Sequence, residues 1–256
     1  MTDIDYADPA PLDEMPKEPW YHTVDVPGHG VVRGIFDFRA NAGEYLGDYD
    51  FNGKRVLEIG PATGFLTFWM ENQGADVTII DLDLEDSAWD KAPSTDPNFD
   101  HHYDLQVRSI KRTRGTWWYL HQKFQSKSKA VYCGIYNIPE NLGKFDVVVM
   151  SAVLLHLRYP FDALEKISAF ADTIVFADRR LEHLEKPGGP IMQFVPNARN
   201  RVWNTWWQFS SAAVQNMLEI LGYTRFDVTN TKVNIASREN LDEFSGDPYF
   251  CIVANK

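Results

Sequence analysis

The chain of 256 residues carries 36 Asp and Glu against 25 Lys and Arg, a formal net charge of −11. That balance argues against a phosphate-backbone binder, which needs a basic footprint, although a local strip at Arg108, Lys111, Arg112 and Arg114 keeps a nucleic-acid partner open. A hydrophobic share of 44% supplies a full core, the length suits one domain with additions, and no apolar run is long enough to cross a bilayer.

In chain order, residues 1–18 are dominated by Asp, Glu and Pro and read as a disordered or loosely docked tail. They have no basic start and no apolar stretch of the secretory kind. With Cys133 and Cys251 read as free buried thiols, this points to the cytoplasm. Residues 19–50 are rich in aromatics and Gly and should pack as a cap, so 1–50 is tail and cap and 51–256 the main domain. Arg55–Ile59 is a buried strand, Phe65 to Gln73 a helix stopped by Gly74, and Asp76–Asp81 a second strand. An insertion of about 84–129 follows, a polar loop from Ala92 to His102 and then a helix from Tyr103 to Gln125. Ala130–Ile135 and Phe145–Ser151 are strands, Pro160–Ala171 a helix and Thr173–Ala177 a strand. A long loop over 178–209 holds Pro187-Gly188-Gly189-Pro190 and a Trp cluster. A helix capped by Ser210 and stopped by Gly222, then strands at Phe226–Thr229 and Tyr249–Ala254, complete the chain. The pattern predicts an α/β doubly wound, seven-stranded, mostly parallel sheet with an N-terminal extension and a helical insertion.

The most informative stretch is Val56-Leu57-Glu58-Ile59-Gly60-Pro61-Ala62-Thr63-Gly64, at the first strand-to-helix turn. Small residues at 60, 62 and 64 let backbone approach a ligand. A dinucleotide fingerprint needs a third Gly where Phe65 stands, so NAD and FAD fit poorly, and no phosphate-cradling P-loop motif is present. Asp81 ends the second strand, where a carboxylate accepting two ribose hydroxyls belongs, with Asp83 as competitor. An adenosyl ligand with an amino-acid tail fits this combination.

Those residues, with TIID at 78–81, VYCGIYNIP at 131–139 and FDVVVMSAVLLHL at 145–157, resemble the class I S-adenosylmethionine-dependent methyltransferases over residues 54–256. The resemblance implies a Rossmann-like methyltransferase fold and S-adenosyl-L-methionine as cofactor. It implies cofactor contacts from Glu58, Gly60, Pro61, Ala62, Gly64, Asp81, Leu82, Ile135, Tyr136 and Ser151. Where many members carry an acid for the adenine amine this chain has none, which leaves a backbone or Asn137 contact. A narrower resemblance, through the aromatic cap, FDVVVMSAVLLH and a late Asn-Arg…Trp…Phe-Ser segment, is to the tRNA wobble-uridine carboxymethyltransferase branch. Leu155 replaces the Tyr that branch commonly has before the His, which favours the plain cofactor over a carboxylated one.

Methyl transfer from a sulfonium needs alignment, a dry site and in some cases a base; it needs no metal, and none is expected here. His156, just beyond the fourth strand, is the candidate base, against the plainer reading of a histidine bonded to backbone. His183 with Glu182 reads as solvated loop, and His101-His102 with Asp100 and Asp104 as polar loop. Trp117, Trp118, Tyr119, Trp203, Trp206 and Trp207 read as packing before binding. Tyr21, His22, Arg33 and Arg39 are weaker candidates in the cap, and segments 19–50, 103–125 and 195–210 are expected to cover the substrate. The sequence therefore predicts a methyltransferase for a small metabolite or glycan-like acceptor. An RNA-modifying (carboxy)methyltransferase and a non-catalytic cofactor-binding module are the alternatives. No membrane partner is expected and the oligomeric state is left open.

Overall fold

The N-terminal segment forms short strands, β1 (Trp20–His22) and β2 (Val24–Val26) with alternating burial, then β3 (Gly30–Val32) and β4 (Gly34–Asp37), before a single helical turn, α1 (Ala42–Tyr45). The regular part follows as β5 (Arg55–Ile59), α2 (Phe65–Asn72), β6 (Asp76–Asp81), α3 (Phe99–Lys123), β7 (Lys129–Tyr132), β8 (Val147–Ser151), α4 (Pro160–Ser168) and β9 (Thr173–Arg179). The last third holds α5 (Glu182–Glu185), β10 (Met192–Phe194), β11 (Trp207–Phe209), α6 (Ser211–Ile220), β12 (Arg225–Ala236) and β13 (Phe244–Asn255). The computed structural model describes residues 4–17, 20–84, 91–92, 95–186, 188–197, 202–237, 241 and 243–256. Pro187 and the Asn200-Arg201 pair lie outside the described residues.

Among the described residues one mostly parallel sheet runs β1-β4-β12-β13-β9-β8-β5-β6-β7. Its centre, β9-β8-β5-β6-β7, is parallel throughout, and β12 and β13 join it antiparallel. The seven expected strands are all there, and the N-terminal segment adds two more. β4 pairs with β12 through Phe36 and Ile235, and β1 lies parallel to β4. The junction is tight: Thr23 Oγ1 accepts from the Gly34 N–H at 3.0 Å, and a Cβ at Gly34 would sit 2.3 Å from the His22 carbonyl carbon. Even the tail docks, with the Ala7 N–H donating to the Ala130 carbonyl at 2.8 Å along the edge strand β7.

Two cores flank the sheet. One face buries α2, the second half of α3 and the N-terminal aromatics, including Trp20, Tyr45, Trp117 and Tyr119. The other buries α4 and α6 through Leu164, Ile167, Val214 and Leu218. α6 is capped by Ser210, whose Oγ accepts from the Ala213 N–H. Several boundaries differ from expectation: α4 ends at Ser168, β9 runs on to Arg179, and the expected loop over 178–209 holds α5, β10 and β11. α3 starts at Phe99, so His101 and His102 are helical rather than in a loop. β7 stops at Tyr132, and Ile135–Asn137 forms a 3-10 turn instead of extending it. β12 and β13 run twelve residues each, because their polar outer halves still pair from Arg225↔Asn255 to Ala236↔Phe244. No helix among the described residues is long and apolar enough to cross a membrane.

Candidate functional site

The site grows from the sheet's topology. β5 has β8 on one side and β6 on the other, so the connections leave in opposite directions at its carboxyl end and open a crevice there. The Gly60–Gly64 turn leads out of that end. Gly60 is fixed by its N–H to the Ile80 carbonyl at 2.9 Å, and Ala62 has a left-handed backbone, φ 50°. Ala152, at the end of β8, has the same φ. Non-glycine residues held in that region cost about 1–3 kcal/mol each and concentrate at functional sites. Gly64, with φ 87°, answers to packing instead: a Cβ there would lie 2.5 Å from Trp117 Cδ1.

Two adjoining chambers fill the crevice. The larger, about 220 Å³, reaches Glu58, Gly60, Pro61, Ala62, Asp81, Leu82, Ser151 and His156. The smaller, about 140 Å³, is an apolar slot walled by Ile59, Ile80, Cys133, Ile135 and Leu157. Gly60, Asp81, Leu82, Val153 and His156 border both. Two predicted site residues reach neither chamber. Gly64 sits behind α3, and Tyr136 turns outward, where its hydroxyl accepts the Tyr159 N–H at 3.3 Å. Asn137 is exposed away from both.

The electrostatics are unusual for so acidic a chain. Glu58 is buried and accepts from Thr67 Oγ1 at 2.5 Å, and burial pushes its carboxyl up to about 8. Burial also raises Asp81, against the opposing pull of the Leu82 N–H at 2.9 Å and of Arg114. Arg114 lies 3.7 Å over the Tyr132 ring and donates to the Leu82 carbonyl, so it braces the Asp81–Leu82 turn from behind. His156 Nδ1 meets the Asn204 carbonyl oxygen, which requires a proton on Nδ1 and leaves Nε2 as the basic atom. Burial lowers its pKa, so the ring is neutral. Asp178, at the end of β9, is buried and pushed up to about 7 by desolvation.

The N-terminal segment forms the remaining wall. Tyr21, His22, Phe36, Phe38 and Tyr45 line the larger chamber with Tyr249 of β13, and Tyr45 Oη lies 2.5 Å from Ser151 Oγ. His22 Nδ1 accepts the Phe65 N–H at 3.3 Å, and burial lowers its pKa to about 3, so it is neutral with its proton on Nε2. Of the four cap candidates, Tyr21 and His22 arrive at the site. Arg39 pairs with Asp37 at 2.7 Å on the surface, and Arg33 bonds the Leu241 carbonyl. Phe36, Phe38, Tyr45 and Tyr249 carry no motif or spacing that marks them as site residues in the sequence. From α3, Gln106, Ser109 and Thr113 present a polar face at i, i+3 and i+7. Trp117, Trp118 and Tyr119 are core residues, Trp203 packs on Phe99 and Tyr103, and His183 bonds Gln193 at 2.7 Å. Among the described residues, no group of three His, Cys, Asp or Glu is placed to hold a metal ion.

The methyltransferase-domain family model matches residues 33–243. The chain belongs to that family. It is an enzyme with the class I, S-adenosylmethionine-dependent methyltransferase fold. Similar curated proteins are the tRNA U34 carboxymethyltransferase of Psychrobacter cryohalolentis, 23% identical over 197 residues (76% of this chain, 50% of that one), and that of Pseudomonas fluorescens, 27% identical over 192 residues (74% and 51%). The methyltransferase thus spans about half the length of the curated relatives it matches. Among solved structures it is similar to the N-terminal domain of EvdMO1 with S-adenosylhomocysteine and D-fucose, at TM-score 0.53, 15% identity and coverage of 93% and 91%. It is also similar to a Burkholderia thailandensis 1,6-didemethyltoxoflavin-N1-methyltransferase, at TM-score 0.51, 17% identity and coverage of 86% and 77%. These structural likenesses are of fold.

Proposed function

We propose that the methyltransferase holds S-adenosylmethionine across the two chambers and transfers its methyl group to a small-molecule acceptor. The observation that carries this is the convergence of the Gly60–Ala62 turn, the Asp81 carboxylate and the apolar slot at one switch point. Each feature fits one part of the cofactor. The slot between Ile80, Ile135 and Leu157 suits the adenine, Asp81 the ribose hydroxyls, and Glu58 with the Gly60 turn the amino-acid end. Leu82 backs the ribose and Ser151 borders the methyl side. Two neighbouring carboxyls whose pKa values are raised in the ligand-free protein gain a partner when a cation arrives.

The cofactor supplies an electrophilic methyl on a sulfonium, which leaves as a neutral thioether. The chain's contribution is alignment, exclusion of water and handling of one proton. As the acceptor atom bonds to carbon, His156 Nε2 takes its proton, the Nδ1 contact to Asn204 holding the ring in the required tautomer.

RNA carboxymethylation draws support from the similarity to tRNA U34 carboxymethyltransferases. Against it stand Leu155 and a larger chamber with no Lys or Arg among its described lining residues to meet an extra carboxylate. The basic strip also divides: Arg108, Lys111 and Arg112 are exposed, whereas Arg114 turns inward onto Tyr132. The two unpaired cysteines support a cytoplasmic location, and residues 1–50 act in this reading as a cap on a 51–256 catalytic domain. The test is calorimetric titration with S-adenosylmethionine and S-adenosylhomocysteine. Binding of both by wild type, weakened in Asp81→Ala, supports the reading, and binding unaffected by Asp81→Ala removes it.

A further inference from the structure

With the cofactor placed along Gly60, Asp81 and the apolar slot, the part of the larger chamber left for an acceptor is the side walled by the N-terminal segment. Its rings form an unbroken series. Tyr21 and Phe36 lie 4.7 Å apart between centroids, Phe36 and Phe38 are near-parallel at 6.3 Å and 8°, and Phe38 meets Tyr45 at 4.5 Å. Exposure falls along the series. Tyr21 is 37% exposed at the mouth, Phe38 4% and Tyr45 1% at the floor. At that floor the Tyr45 and Ser151 hydroxyls, 2.5 Å apart, form the polar end.

We infer that the acceptor is an uncharged planar ring carrying a hydroxyl or N–H, stacked on this aromatic series with its nucleophilic atom set against the Tyr45–Ser151 pair. The inference rests on the cofactor reading above for the side of the chamber it assigns. Aromatic faces favour offset stacking with another ring. Stripping the hydration from a sugar's several hydroxyls would require as many polar partners around the ring, and the N-terminal wall itself offers His22, the Tyr hydroxyls and Ser151 among aromatic faces, with Gln106, Ser109 and Thr113 supplied by α3. An anionic acceptor meets no Lys or Arg among the described lining residues of the chamber. The pairing of β1 with β4 and of β4 with β12 holds Tyr21 and Phe36 in fixed register on the chamber that Ser151, at the end of β8, also lines.

The test uses 2-naphthol, 2-naphthyl phosphate, methyl β-D-glucopyranoside and a short RNA stem-loop, titrated by calorimetry into the full chain with and without saturating S-adenosylhomocysteine. The expected result is 2-naphthol binding at least tenfold more tightly than the other three. Phe36→Ala lowers 2-naphthol affinity at least fivefold while leaving S-adenosylhomocysteine affinity unchanged. Tyr21→Ala, at the exposed mouth, repeats that loss without touching the core. The inference is overturned if the phosphate, the glucoside or the RNA binds as tightly as 2-naphthol, or if both variants keep wild-type affinity for it. If S-adenosylhomocysteine fails to bind but the 2-naphthol pattern holds, the cofactor reading falls and the ring site stands. If S-adenosylhomocysteine binds and the 2-naphthol pattern is absent, the ring site falls alone.

Discussion

Glu58, Asp81 and His156 carry the proposed chemistry, and each has a measurable signature. Asp81→Ala is expected to weaken S-adenosylmethionine binding by about tenfold to a hundredfold, the scale of losing a hydrogen bond to a charged group. His156→Gln is expected to lower kcat by about 10²-fold or more and to remove the acidic limb of the pH–rate profile. Equal kcat across the pH range would assign His156 to structure alone. Glu58 gives a stability signature. Its carboxyl stands near 8 in the folded protein against an ordinary value of 4.5. The folded state therefore holds a proton that the unfolded state has released. Stability is highest below about pH 4.5 for this group and falls as pH rises toward 8. Glu58→Gln, which stays neutral, is expected to lose that slope, so that ligand-free variant and wild type diverge in urea midpoint as pH rises. Parallel curves would contradict the burial argument.

At the scale of elements, the β5–Gly60–Gly64–α2 unit is both the most legible part of the chain and the most constrained. Gly64→Ala is expected to destabilise the fold by about 1–3 kcal/mol, because a Cβ would enter the Trp117 ring's space. Chemical denaturation measures it, and a neutral result would mean that α3 readily gives way. The strands of the parallel centre and the turn after β5 were readable because apolar runs and small residues at fixed spacing have one cheap structural solution. Glu58, Gly60, Pro61, Ala62, Asp81, Leu82, Ser151, His156 and Ile135 accordingly fall on the two chambers. What was not readable depends on partners far away in sequence. The outer halves of β12 and β13 are polar and alternate weakly, and they are strands because they pair with each other over twelve residues. Phe36, Phe38, Tyr45 and Tyr249 became site residues only when β4 met β12 and α1 met the end of β8. Gly64 and Tyr136 matched a family pattern, but local packing on Trp117 and Tyr159 takes them away from the crevice.

For the whole molecule, a net charge of −11 predicts feeble, nonspecific RNA affinity, lost with modest salt. Tight RNA binding with a steep salt slope would revive the nucleic-acid alternative. Two cores flank the sheet, and β1 and β4 of the N-terminal segment are strands of that same sheet, so the crevice and the aromatic wall are built on one sheet. On the proposed reading, this crevice is a site for S-adenosylmethionine. The most direct measurement is calorimetric binding of S-adenosylmethionine and S-adenosylhomocysteine to the full chain, with the carboxylated cofactor and NAD alongside. Binding of the first two is expected on the order of −8 kcal/mol, a micromolar affinity, with weaker binding of the others. Absence of binding, or preference for the carboxylated form, would contradict that reading.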